Sequence, residues 1–363
     1  MSSTYGERLK LSIFGQSHGP AIGMTLDGIP AGRPIDFEKL QSFLNRRAPG
    51  QNEHSTTRKE ADRPEFLSGV VDGFTCGAPI TAVIHNTNTR SGDYNNLKDC
   101  PRPGHADFSA QMKYGGYQDV SGGGHFSGRL TAAIVALCAI IRDVLSFKGI
   151  TVGSHIRSIG EIEDDRLSFK KEELDYLNEQ YFAVLNEETK DKMLKLIEEA
   201  RNSRDSVGGI IETAVLGLPC GIGEPYFDSV ESRLASLIFS IGGVKGVEFG
   251  SGFDISRMYG HEANDEFAYD NGAVITLTNH NGGINGGITN GMPLVVSTAI
   301  KPTPSISRVQ RTVNLQTGEN CELEIHGRHD PCIVHRARIV VDSLICFGLL
   351  DLCISEYGKR WCL

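Results

Sequence analysis

At 363 residues and 39.5 kDa the chain is long enough to bury a substantial core, as one large domain or as two. A formal charge of -9 and a pI near 5.7 exclude general nucleic-acid binding, because a polyanion selects a basic surface; any anionic ligand must instead meet a local cationic pocket. Nine cysteines run from Cys76 to Cys362 without a CxxC pair, which excludes a zinc ribbon or thioredoxin-type motif and suits reduced thiols in a cytoplasmic chain.

The amino terminus, MSSTYGERLKLSIFG, has no apolar segment of signal-peptide length. The stretch GQSHG fits the Gly-x-Ser-x-Gly pattern of a nucleophile elbow, a motif made specific by a strand before it and a helix after it. Here Pro20 follows at once and AIGMTLDGIPAG has no helical period, so a serine hydrolase is not expected. By themselves Ser17 and His18 read as a turn whose side chains satisfy the backbone. FEKLQSFLNRRAPG predicts a helix with Asp36 as N-cap and Pro49-Gly50 as its stop. EFLSGVVDG and ITAVIHN read as strands around the turn GFTCGAP.

From Ser127 to Phe147 the chain is mostly apolar, which predicts a buried helix with Ser127 as a candidate N-cap. Its run LTAAIVALCAII stops at Arg142 after twelve residues, short of the roughly 20 a bilayer needs, so no membrane span is expected. Residues 162–205 are charged and helical in pattern, GGIIETAVLGLP returns to strand, 228–241 look helical, and GAVITLTN and MPLVVSTAIKP look like strands. Asp330-Pro331 predicts the N-cap and first residue of a long apolar helix toward Tyr357. Strands and helices mix without regular alternation and no Pro/Ser-rich linker divides them, so the reading is α+β and a single domain over 1–363.

Glycine, with 42 residues, clusters at 15–32, 115–128, 242–252 and 282–291, where it permits positive-φ turns or close approach to a ligand. Three loops carry a histidine in a turn: His18 in GQSHG, His105 in RPGHAD beside Arg102 and Asp107, and GRHDP with Arg328, His329 and Asp330. Arg46, Arg47, Arg58, Lys59, Arg90, Arg102 and Arg129 gather in polar segments, where they suit bidentate phosphate or carboxylate recognition or serve as solvated charge. SGGGHFSGRLTAA brings Arg129 to a helix amino terminus, a natural phosphate cradle, while Walker and Rossmann fingerprints are missing. KPTPSI holds Lys301, Thr303 and Ser305 on a proline-stiffened backbone that suits a ligand or a plain strand exit. His326 and His329 lack the cysteines or carboxylates that would complete a site, so no metal is expected.

Taken in order, GQSHG, RRAPGQ, RPGHAD, GGGHFSGRLTAA, EFGSGF, NGGINGGITNG, KPTPSI and GRHDPC resemble chorismate synthase, from about residue 6 to about 350. The resemblance implies a β-α-β sandwich with internal pseudo-symmetry and a homotetramer. It implies trans elimination of phosphate and a ring hydrogen from 5-enolpyruvylshikimate 3-phosphate to give chorismate, with reduced FMN required although there is no net redox change. On that resemblance His18 protonates the departing phosphate, His105 acts on the reduced flavin, and Asp330 helps remove the ring proton through the flavin's central-ring nitrogen. Arg46, Arg47, Arg102, Arg129 and Arg328 would hold the substrate's anionic groups; Ser17, Ser127, Lys301, Thr303 and Ser305 would lie on the flavin side. No extra segment suggests a built-in NADPH-dependent reductase, which implies a separate flavin reductase as electron source. Gln16, His125 and Leu130 stand where the family commonly has glutamate, arginine and glutamate. A non-catalytic FMN-binding or assembly protein on the same fold is the alternative.

Overall fold

The computed structural model describes residues 3–48, 62–87, 99–325 and 330–363. Arg58, Lys59, Arg90, His326, Arg328, His329 and the Pro49-Gly50 stop lie outside the described residues.

Two five-stranded antiparallel sheets face one another across a layer of helices. The first runs in the order Thr4–Tyr5, Lys10–Gly15, Ala21–Asp27, Ile80–His85 and Glu65–Ser68. Period-two alternation makes one face of it apolar: Leu11, Leu26 and Ile80 stand in one cross-strand row, and Ile22 and Ile84 in another. The second runs Val244–Phe249, Leu294–Ile300, Gly209–Leu216, Thr151–Ile159 and Ile162–Glu163. Its inner face carries Val152, Ile156, Ile211, Val215, Leu294 and Val296, with Ser154 and Thr213 directly paired among them.

Each half repeats one plan, a sheet followed by a long apolar helix. Residues 4–85 build the first sheet and precede the Thr131–Phe147 helix; residues 151–300 build the second and precede the Val334–Tyr357 helix. This is the expected β-α-β sandwich with pseudo-symmetry, although the strand orders of the halves differ. The two long helices pack on each other, Thr131–Phe147 also on the first sheet and Val334–Tyr357 on the second, so both are apolar on nearly every side. Gly128–Phe147 is thereby long and apolar enough to cross a membrane, a greater length than the unbroken apolar run suggests, yet most of it is buried between the sheets.

Two buried carboxylates on the last helix, Asp342 and Asp351, are matched to donors. Asp342 accepts hydrogen bonds from Ser154 Oγ at 2.8 Å and Thr213 Oγ1 at 3.3 Å. Asp351 accepts from the backbone N–H groups of Glu7, Arg8 and Leu9 and from Arg233 at 2.7 Å, which fastens the amino-terminal turn to the core.

Asp36 caps the Phe37–Arg47 helix by accepting from the Lys39 N–H, as the sequence predicts. Asp330-Pro331 does not open the last helix. That helix begins at Val334 after Ile333, because the Asp330 carboxylate is engaged by Arg336 instead of capping N–H groups.

Candidate active site

Glycine geometry brings distant loops together at one end of the sandwich. Ser17 and His18 lie on the turn between the antiparallel strands Lys10–Gly15 and Ala21–Asp27, so a strand and not a helix follows and no nucleophile elbow forms. Against this turn runs Gly122-Gly123-Gly124, all three at positive φ (60°, 84° and 53°). A Cβ on Gly122 would sit 2.1 Å from the His18 ring, and one on Gly123 would sit 3.3 Å from the His105 ring. Only glycines let the backbone pass this close to both histidines. The Ser17 N–H donates to the Gly124 carbonyl at 3.1 Å. His125 steadies the same turn, its Nδ1 donating to the Gly15 carbonyl at 2.9 Å and its Nε2 meeting Ser3 Oγ at 2.9 Å. The departure at His125 thus has a structural task.

His105 belongs to a tight ionic group. Arg102 donates to both oxygens of Asp107, from Nε at 2.7 Å and Nη2 at 2.8 Å, in the fork geometry of a bidentate pair. His105 Nδ1 donates to Asp107 Oδ1 at 2.6 Å, which fixes the ring; Nε2 makes no hydrogen bond among the described residues. Burial favours the neutral form of Asp107, but the hydrogen bonds from Arg102 and His105 outweigh it and hold the carboxyl well below its usual range. Arg102 Nη1 also donates to Ser305 Oγ at 3.1 Å, and the Lys301 ammonium to the Gly104 carbonyl. The flavin-side and histidine loops are therefore joined directly.

A second ionic group faces it. Asp62, nearly sealed from solvent, receives Arg47 Nη1 at 3.4 Å and Arg129 Nη1. Arg47 is further held by Thr131 Oγ1 at 3.1 Å and the Gly128 carbonyl at 2.7 Å. Burial, then repulsion from Arg336 and Arg129, lowers the Arg47 guanidinium to about 9 against the opposing pull of Asp62, so it stays charged at neutral pH. Arg336 grips Asp330 and donates from Nε to the Arg47 carbonyl at 3.0 Å. Ser127 Oγ accepts from the Arg129 N–H at 3.3 Å and caps the turn that leads into the Thr131–Phe147 helix.

Between the two groups is a cavity of about 910 Å³. Ser17, Arg47, Arg102, His105, Ser127, Arg129, Lys301, Thr303, Ser305 and Asp330 all line it, despite their sequence separations. The cations on its wall are Arg47, Arg102, Arg129, Lys245, Lys301 and Arg336; against these six stand the carboxylates Asp62, Asp107 and Asp330, leaving a net +3 among the described residues of an acidic chain. Burial and then the neighbouring Lys245 lower the Lys301 ammonium from its usual value. His18 lies behind Gly122 and is not on the lining. Arg46 points elsewhere: its guanidinium stacks 4.8 Å from the Phe43 ring, close to Arg142 and Arg338 in the interior.

Sequence reasoning did not single out Arg336, Asp62 or Lys245. Arg336 had a signal, a guanidinium in the first turn of a mostly apolar helix. Lys245 is the extra residue of a β-bulge opposite Ile300 and Ala299, and no pattern in the sequence marks it.

The chorismate synthase family profile matches residues 9–354. The chain is 46% identical over 359 residues to the chorismate synthase of Lachnoclostridium phytofermentans, covering 99% of this chain and 96% of that one. It is 45% identical to the chorismate synthase of Methanocella arvoryzae, covering 97% and 94%. A crystal structure of chorismate synthase superposes with a TM-score of 0.77 at 29% identity, covering 98% of this chain and 94% of the other. The chain belongs to the chorismate synthase family.

Proposed function

We propose that this chain, as a carbon-oxygen lyase, eliminates phosphate and a ring hydrogen from 5-enolpyruvylshikimate 3-phosphate to give chorismate, with reduced FMN bound beside the substrate. The observation that carries this reading is the cavity where six cations, a histidine held through its Nδ1 and an Arg-bound aspartate meet. A substrate with one phosphate and two carboxylates suits such a concentration of guanidinium groups, whose charge exceeds that of their carboxylate partners in an otherwise acidic chain.

The residues present also fit a flavin. Leu11, Ile13, Leu130, Ile134, Val340 and Leu344 give the cavity an apolar side suited to a planar ring. The Thr303 Oγ1 is buried without a hydrogen-bond partner among the described residues, next to Ser305 and Lys301. Ser17, Ser127, Lys301, Thr303 and Ser305 would hold the cofactor, which when bound supplies electron density to the breaking carbon-oxygen bond and takes no net oxidation.

Arg47, Arg102 and Arg129 would bind the substrate's anionic groups, Arg47 and Arg129 already oriented by Asp62. Their fixed positions lower the cost of organising charge at the moment of reaction. His105 would hold or move a proton at Nε2, since Asp107 occupies Nδ1. His18 would protonate the departing phosphate from beside Gly122. Arg336 would aim the Asp330 carboxylate, the acceptor on the ring-proton side. Family membership supports a separate NAD(P)H-dependent flavin reductase, a homotetramer, a single-domain chain and a cytoplasmic location.

Anaerobic phosphate release from the purified chain, with and without chemically reduced FMN, tests this. Release with chorismate only in the presence of reduced flavin is expected; equal release without it would point to a flavin-independent lyase.

A further inference from the structure

Cys100 and Cys321 are 221 positions apart in sequence, yet their Sγ atoms lie 3.7 Å apart and both residues are half-buried. Cys321 sits on the hairpin Gln310–Asn314 with Glu319–Leu323, directly opposite Thr312. Hydrogen bonds on both sides of Cys100 fasten its segment to that hairpin. The Leu315 N–H donates to the Asp99 carbonyl at 2.8 Å, Gln316 Nε2 to Asp99 Oδ1 at 2.7 Å, and Thr312 Oγ1 to the Pro101 carbonyl at 2.6 Å. The chain entropy of bringing the thiols together has thus been spent in folding, and side-chain rotation can close the remaining gap to a bond of about 2.0 Å.

The other cysteines are not placed this way. Cys138, Cys332, Cys346, Cys353 and Cys362 are buried, and burial pushes the Cys332, Cys346 and Cys353 thiols up to about 12. Cys76 and Cys220 are exposed, with no second thiol against either among the described residues.

We propose that Cys100 and Cys321 form a reversible disulfide when the chain meets a hydroperoxide, and that this bond clamps the segment carrying Arg102, His105 and Asp107 onto the hairpin. One thiolate attacks the peroxide, breaking its O–O bond to give a sulfenic acid and an alcohol, or water from hydrogen peroxide. The second thiol then attacks that sulfur, its S–OH bond breaks and water leaves; the two sulfurs together lose two electrons, which the peroxide gains. Burial, and next the hydrogen bond to Cys321, raise the Cys100 thiol, so the reaction should quicken as pH rises. Cys100 is two residues from Arg102, and Arg102 is bonded to Ser305 upstream of the hairpin. The S–S bond would therefore fasten this wall of the cavity covalently at one point, beside the Arg102–Ser305 hydrogen bond that already holds it at another.

The test treats the full chain with hydrogen peroxide, blocks residual thiols, and maps peptides alongside amide hydrogen exchange. The expected result is one cross-linked peptide pair joining 100 to 321, lighter by two hydrogens, reversed by dithiothreitol, with slower exchange over residues 99–107. Cys321→Ser should abolish the cross-link and leave a trappable sulfenic acid at Cys100. Oxidation of Cys76 and Cys220 while Cys100 and Cys321 remain two free thiols would overturn the proposal, and a cross-link without slower exchange would overturn the clamp. Neither readout uses turnover, so the result stands apart from the proposed reaction.

Discussion

His105 and His155 are both shielded from solvent and held by carboxylates, and their differences separate chemistry from support. His105 gives Nδ1 to Asp107 and keeps Nε2 on the cavity wall without a hydrogen-bond partner among the described residues. His155, in the second sheet and fully buried, gives Nδ1 to Asp164 at 3.0 Å and Nε2 to Glu212 at 3.2 Å. A histidine with one uncommitted nitrogen can move a proton, whereas one bound at both can only hold elements together. Residue type and burial alone would have ranked His155 first.

The largest separation of the two should come from removing each anchor. Asp107→Asn should lower turnover by about 10³-fold with the chain still folded, because the amide leaves Arg102 and His105 to compete for one acceptor oxygen and the ring loses its tautomer and aim. Anaerobic kcat with circular dichroism on the same sample checks this, and unchanged kcat would break the comparison. His155→Leu should instead cost about 3 kcal/mol of stability in a denaturant titration, since two carboxylates lose their shared partner, with kcat little altered.

Gly122→Ala should come next, lowering turnover about tenfold or more by driving a methyl into the His18 ring at a left-handed backbone position.

The pH dependence sharpens the comparison further. Burial opposes charge on His155, but its hydrogen bonds to the carboxylates of Asp164 and Glu212 win and raise it above its ordinary value near 6.5. A raised histidine contributes stability that is full below about pH 6.5 and is lost as pH climbs through the folded value. Burial likewise opposes ionisation of Asp164 and Glu212, but the His155 hydrogen bond holds both low, so their share is present above the ordinary carboxylate range and fades in acid. The difference in Tm between wild type and His155→Leu should therefore peak in mildly acidic buffer and shrink on either side; a difference independent of pH would contradict the charged arrangement. The smallest expected effect is on Arg46→Met, which should leave substrate KM unchanged while Arg47→Met raises it, because only Arg47 lines the cavity.

That last pair shows where the sequence stops being legible. Arg46 and Arg47 are chemically identical neighbours, but successive helical residues point about 100° apart, so one faces the cavity and the other the Phe43 ring. The rotation of the helix is set by Leu40, Phe43 and Leu44 packing, which only the fold reveals. The glycine clusters, the capped helix at Asp36, and the Ser17, His105 and Lys301 loops were legible because each leaves a local chemical mark. The placement of Asp330 was only half legible: its position at the head of the last helix suggested a cap, while the competing partner Arg336 lay in an apolar stretch. Lys245 reaches the cavity through a bulge that depends on its partner strand, and so on residues some fifty positions away.

The most direct test of the account is anaerobic phosphate release from 5-enolpyruvylshikimate 3-phosphate, with reduced FMN, by the His18→Ala/His105→Ala double variant beside wild type. The account predicts release by wild type and none by the folded, flavin-binding double variant. Undiminished release by that variant would contradict the placement of the chemistry at the glycine run between His18 and His105.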